Sequence, residues 1–304
     1  MGFAISGVWS AVATPLDADL NPDRATLDRQ CRWLLDNGCD GIALLGTTGE
    51  ANSFSVGERK SILEGVIAGG VTAEQLAPGV GVAAMSETIE LTQHALSLGV
   101  TRVVMLPPFY YKNVSDDGVF AAYARIIEGI GDSRLKVVLY NIPQQSGVPL
   151  SLDLVARLIA AFPDTVIGIK DSTGKLENTI GYCGLGGNFA VLVGSDPLLN
   201  QVLQAGGAGC ITAVSNLCAP ELRVVFDGWN DPARAADVAR AQARLEGWRA
   251  VSMAYGTQLP AIKALLARRD GDAGWNRLRP PLMALSAEQQ RDIEARLQEL
   301  GEPV

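Results

Sequence analysis

Histidine is almost absent from this chain: His94 is the single one in 304 residues. A Ser–His–Asp hydrolase needs an imidazole as its base, and the common zinc sites draw on several histidines or on paired cysteines. His94 lies in a helical pattern at 87–98, where a helix-face position is expected in place of a catalytic one. Cysteine is sparse as well. The five (Cys31, Cys39, Cys183, Cys210, Cys218) are odd in number and show no CxxC spacing. Reduced thiols are therefore expected, not a disulfide framework. There is no lysine- and arginine-rich block, and the net charge is −8. Neither a nucleic acid nor an anionic membrane surface is expected as a partner. No apolar run approaches the roughly 20 residues of a membrane span, and no segment of signal-peptide type opens the chain. The expectation is a soluble, cytoplasmic protein. An anionic substrate gains nothing from the overall field and must be held locally, by a lysine or by backbone N–H groups.

What is present suits a large core with many tight turns: 48% apolar residues and 33 glycines. Eight short apolar runs, at 8–14, 41–45, 79–82, 102–106, 136–140, 166–170, 190–194 and 209–213, end in turn residues. Amphipathic stretches at 25–37, 56–68, 87–98, 117–129 and 152–161 lie between them. Eight strands alternating with helices predict a closed (β/α)8 (TIM) barrel over residues 1–218. An open doubly wound sheet is the alternative, but no GxGxxG follows the first strand. Residues 219–304 read as helices only, including 232–255 and 287–300, and are expected to pack on the barrel as a C-terminal helical extension.

In such a barrel, chemistry sits at the C-terminal ends of the strands. The run Val166-Ile167-Gly168-Ile169-Lys170 carries a lysine to that rim. Burying an ammonium costs several kcal/mol unless it is paired or neutralised, and a neutral amine is a nucleophile. A lysine snorkelling from the strand end to water is the plainer alternative. Tyr140-Asn141-Ile142-Pro143, Gly46-Thr47-Thr48-Gly49-Glu50, Tyr110-Tyr111 and Gly194-Ser195-Asp196 fall on the same rim. No histidine and no carboxylate cluster joins them. These residue types suit covalent catalysis: an amine attacks a ketone, and a phenol linked to hydroxyls shuttles the proton. A strand-end tyrosine is more often a packed ring, and Thr-Thr in a turn is often only turn chemistry. The joint placement lifts the catalytic reading. Gly46 and Gly49 flank a tight turn whose N–H groups suit a carboxylate.

Three of these stretches, Gly46-Thr47-Thr48-Gly49-Glu50, Tyr140-Asn141-Ile142-Pro143 and Gly168-Ile169-Lys170-Asp171, give the whole chain a resemblance to a known family. It resembles the dihydrodipicolinate synthase / N-acetylneuraminate lyase family of Schiff-base lyases. The resemblance implies that Lys170 forms a Schiff base with pyruvate or another 2-oxo acid and that Tyr140 is the acid/base residue. It implies that Thr47 links Tyr140 to Tyr111, the latter supplied by a neighbouring subunit, hence a homodimer or homotetramer. Thr48 would bind the substrate carboxylate, Gly194 and Ile211 would line the pocket, and neither metal nor organic cofactor is implied. Departures narrow the substrate. Gln145 stands where dihydrodipicolinate synthases are expected to place an arginine for the aspartate-semialdehyde carboxylate, and an amide makes no charged bidentate pair. Ala83 and Val56 stand where lysine-inhibited synthases show Asn and His. Pro197 replaces the acidic residue of sialic acid lyases. Residues 140–150 are more similar to aldolases and dehydratases of 2-keto-3-deoxy sugar acids or 4-hydroxy-2-oxoglutarate. The synthase reaction and a non-catalytic keto-acid-binding barrel remain as alternatives.

Overall fold

Short β-branched runs closed by turns form strands buried on both faces, which in a parallel sheet removes the need for polar alternation. The computed structural model describes residues 2–301. Its strands are β1 (Gly7–Ser10), β2 (Gly41–Ile42), β3 (Arg102–Met105), β4 (Lys136–Asn141), β5 (Val166–Asp171), β6 (Ala190–Val193) and β7 (Gly209–Thr212). They are all parallel, in the order β2-β1-β7-β6-β5-β4-β3.

The two edges are joined by residues 76–80. Ala77 and Gly79 donate to the carbonyls of Ile42 and Leu44 at 3.0 and 2.7 Å. On the other side Val104 donates to Pro78 O at 2.9 Å and Val80 to Val104 O at 3.0 Å. This segment is the eighth member and closes the (β/α)8 ring. The sequence placed that strand at 79–82; the bonded stretch starts earlier and is less regular. Pro78 has no N–H to give, and a Cβ at Gly79 would sit 2.3 Å from Leu45 O. The backbones approach too closely there for an ordinary strand residue.

Among the described residues the α-helices are α1 (Arg24–Asp36), α2 (Val56–Ala68), α3 (Met85–Ser97), α4 (Asp116–Ile130), α5 (Pro143–Ser146), α6 (Leu152–Ala161), α7 (Leu176–Cys183), α8 (Leu199–Gln204), α9 (Ser215–Gly228), α10 (Ala235–Met253), α11 (Gln258–Asp270) and α12 (Ala287–Glu299). Several start on side-chain caps that satisfy otherwise orphaned N–H groups. Ser55 and Glu58 form a reciprocal capping box on α2, and Ser151 accepts from Leu154 N–H on α6. Helix α9 runs across residues 218 and 219, kinked at Cys218 (φ −126°, ψ 39°) two residues before Pro220. The division drawn from the sequence lies at this kink. Among the described residues no helix is long and apolar enough to cross a membrane. All five cysteines are free thiols.

The hydrophobic interior is layered. Inside the ring, small residues such as Ala11, Ala43, Ala77 and Ala190 alternate with Trp9, Val104, Leu192 and Ile211. Between ring and helices lies the larger core. Asn216 on α9 stitches the start of the ring: its Oδ1 accepts from Ala13 N–H at 3.0 Å and its Nδ2 donates to Ala11 O at 2.8 Å. Asn216→Ala leaves both buried backbone groups without these partners. It is expected to lower the unfolding free energy by about 2–3 kcal/mol, measured as a lower denaturant midpoint at unchanged slope.

Candidate active site

Strand register sets the central pair. Tyr140 on β4 lies directly opposite Lys170 on β5, so both side chains point to the same face. That face is the ring interior, where Tyr140 is 4% and Lys170 5% exposed. Lys170 Nζ stands 4.2 Å from the centre of the Tyr140 ring. The Tyr140 hydroxyl and Thr47 Oγ1 are 3.3 Å apart. Lys170 is therefore not a lysine snorkelling to solvent.

The next residue along the strand holds this orientation. Asp171 is fully buried on the opposite, helix-facing side. It accepts hydrogen bonds from Asn141 Nδ2 (3.0 Å), Thr179 Oγ1 (2.6 Å) and Thr173 Oγ1 (2.9 Å). Asn141 is Asp171's partner across the strands, and its Oδ1 accepts from Leu150 N–H at 3.1 Å. Successive strand residues alternate faces, so a locked Asp171 turns Lys170 inward.

The charge distribution follows. Burial by itself pushes the Tyr140 phenol up, but the Lys170 charge opposes it, followed by hydrogen bonds with Thr47, Ser172 and Lys170. The balance brings Tyr140 below the ordinary tyrosine value. A phenol of that kind next to an amine can take the amine's proton and return it later. Around the pair is a cavity of about 420 Å³, counted to its open mouth, lined by Ala11, Ala43, Leu45 to Thr47, Asn52, Gly79, Gly81, Leu106, Tyr140 and Lys170 among others. Among the described residues no three or more His, Cys, Asp or Glu side chains group as a metal-ligating set. His94 lies away on α3, with Nε2 3.3 Å from Glu64.

Residues 4–300 match the model of the dihydrodipicolinate synthetase family. The chain belongs to this family. It is accordingly a lyase of the (β/α)8 type. A DapA-like lyase of Chloroflexus aurantiacus is 36% identical over 291 residues, 95% of each chain. The crystal structure of dihydrodipicolinate synthase from Agrobacterium tumefaciens str. C58 is 34% identical with a TM-score of 0.86, covering 97% of this chain and 99% of that one. YagE, a prophage protein of the same family from E. coli K12 solved in complex with pyruvate, is 26% identical with a TM-score of 0.90, covering 99% and 100%.

In this family member the other sequence-predicted site residues are spread more widely than the central three. Ile211 lies fully buried in the ring interior with Tyr140. Thr48 is half-buried in the turn beside Thr47, outside the cavity lining. Gln145 is exposed on α5. Tyr111 is 76% exposed and meets Tyr110 edge to face, with ring centres 5.3 Å apart. Of the three rim tyrosines, Tyr140 alone lines the cavity. At the turn 46–50 the left-handed residues are Glu50 (φ 55°) and, just before the turn, Leu45 (φ 57°).

Ser172 was not singled out from the sequence, although alternation places it two residues beyond Lys170 on the same face. It hydrogen-bonds with Tyr140, and its carbonyl accepts from Gln144 Nε2 at 2.6 Å. Gly194 lies against it: a Cβ there would meet Ser172 Oγ at 2.0 Å. Gly194→Ala is expected to displace Ser172 and lower kcat/KM by about 10- to 100-fold, with the fold intact by circular dichroism.

Proposed function

We propose that this chain is a class I lyase that forms a Schiff base between Lys170 and pyruvate or another 2-oxo acid. The reaction is aldol cleavage or condensation, or dehydration, of a 2-keto-3-deoxy sugar acid or a 4-hydroxy-2-oxo acid. The observation that carries it is the register pair Tyr140–Lys170 inside the ring, with Thr47 on the phenol. Lys170 Nζ attacks C2, and water leaves to give an iminium. In cleavage, the Tyr140 phenolate takes the C4 hydroxyl proton, the C3–C4 bond breaks, and its electron pair flows to the iminium nitrogen. An aldehyde departs. The enamine left behind takes a proton at C3, and hydrolysis frees pyruvate and the amine. The iminium carries a positive charge beside Tyr140 until the C3–C4 bond breaks and its electron pair gives the neutral enamine.

Condensation with aspartate semialdehyde is the second reading, favoured by the 34% identity to the Agrobacterium synthase. Against it stands Gln145, exposed and uncharged where a carboxylate-gripping arginine is expected. Loss of such a charged hydrogen bond removes about 1.5–3 kcal/mol of binding. The exposed Tyr110–Tyr111 pair supports an assembly of two or four copies in which Tyr111 completes a neighbour's relay. The test is borohydride reduction with pyruvate, followed by a panel of 2-keto-3-deoxy and 4-hydroxy-2-oxo acids assayed for pyruvate release. One pyruvyl unit on Lys170 and release from a panel member are expected. Absence of any adduct on the wild-type chain overturns the lyase reading, and efficient use of aspartate semialdehyde alone favours the second.

A further inference from the structure

Glu50 and Lys263 form an ion pair in which neither side chain touches solvent. Desolvating two charges can offset what their attraction returns, so such a pair is weak evidence for stability. Its position suggests a different role. Glu50 ends the turn that carries Thr47, whereas Lys263 lies 213 residues later on α11. The grip continues around the pair. Lys263 Nζ also donates to Arg277 O at 2.8 Å, and Glu50 Oε2 accepts from Arg279 N–H at 3.0 Å. The Arg279 guanidinium donates to Ser53 O at 2.7 Å and lies 4.4 Å from the Phe54 ring centre. The C-terminal region therefore holds residues 50–54 at several points.

The turn has reason to need this support. Leu45 and Glu50 are both left-handed, at φ 57° and 55°, a conformation unfavourable for residues with a Cβ. Glu50 N–H donates to Thr47 O at 3.2 Å, so the place of Glu50 sets the place of Thr47. Thr47 is itself exposed and meets Tyr140 across 3.3 Å. A small shift of the turn breaks that contact.

We infer that Lys263 is a positioning residue: through Glu50 it fixes the turn 46–50 so that the Thr47 hydroxyl meets the Tyr140 phenol. Lys263 is absent from the cavity lining and acts only through the turn. The kinetic consequence rests on the lyase reading above, but the geometric one does not.

The experiment is a double-mutant cycle with two readouts. Lys263→Met is expected to lower kcat about tenfold in the wild-type background and less than about twofold when Thr47 is already Val. Arg223→Met, which breaks the ion pair with Asp40 at the far end of the ring, serves as the structural comparison. It is expected to act by the same factor in both backgrounds. Equal factors for Lys263→Met in the two backgrounds overturn the inference. The second readout is the tyrosinate absorbance of Tyr140, taken as a difference against Tyr140→Phe. Lys263→Met should raise its midpoint as Thr47→Val does, with no further rise in the double variant. An unchanged midpoint in Lys263→Met overturns the positioning role. A wild-type chain that traps no pyruvate defeats the lyase reading while leaving this titration decisive. Because Lys263→Met strands a buried carboxylate, Glu50→Gln/Lys263→Met, which removes both charges, is measured beside it and judged by the same outcomes.

Discussion

Lys170→Ala is expected to abolish borohydride trapping of pyruvate and to lower turnover by on the order of 10⁴-fold or more. The size of the effect follows from the composition of the cavity. Lys170 is the one amine among its lining residues, so no neighbour can supply the covalent step. Binding and the Tyr140–Thr47 pair survive the substitution, but without an iminium there is no sink for the electrons of the breaking carbon bond. The variant is expected to fold. Lys170 is held by its place on β5 and by the Tyr140 ring, with no salt bridge among the described residues to strand a buried carboxylate. Lys170→Arg separates charge from nucleophilicity: it keeps a cation beside Tyr140 but offers no neutral amine. It should trap no pyruvate either. Mass spectrometry of the reduced protein reads both variants, and an adduct persisting in Lys170→Ala would place the Schiff base elsewhere.

Much of this architecture was legible in the sequence because its signals are local. Helix α2 was placed at its observed bounds, where the Ser55–Glu58 box starts it, and α6 likewise, capped by Ser151. Lys170 and Tyr140 were legible as strand-end residues. Their register was not, since pairing depends on a bulge between Val137 and Val138 that shifts β4 against β5. The member at 76–80 was misplaced because Pro78 and Gly79 break the apolar pattern by which strands are recognised. The backbone of the turn at 46–50 was not legible: Leu45 and Glu50 are left-handed there, although local preference puts glycine in that conformation. The partner of Glu50 is a lysine 213 residues away, a distance at which no pattern in the chain links the two. Ser172 was within reach of simple alternation from Lys170.

Tyr140→Phe carries the second large effect, because it removes a proton carrier and leaves the nucleophile in place. A positioned acid–base group contributes about 10²- to 10⁴-fold, and loss of turnover in that range is expected. The pH profile distinguishes this role from packing. Tyr140 lies below the ordinary tyrosine value: burial raises it, but the Lys170 charge and the hydrogen bonds with Thr47 and Ser172 lower it further. As the base, Tyr140 works in its ionised form. Activity should therefore rise with pH through a midpoint below about 10, the unperturbed tyrosine value, and level off above it. Tyr140→Phe should lose that rising limb along with the rate. Thr47→Val should keep the limb but move its midpoint upward, because a hydrogen bond favouring the ionised form has gone. A ring that only packed against Lys170 would show neither behaviour: Phe fills nearly the same volume, so both rate and profile would survive. The measurement is log kcat/KM against pH for the three proteins. A profile of unchanged shape in Tyr140→Phe would assign the rising limb to another group and remove Tyr140 from the relay.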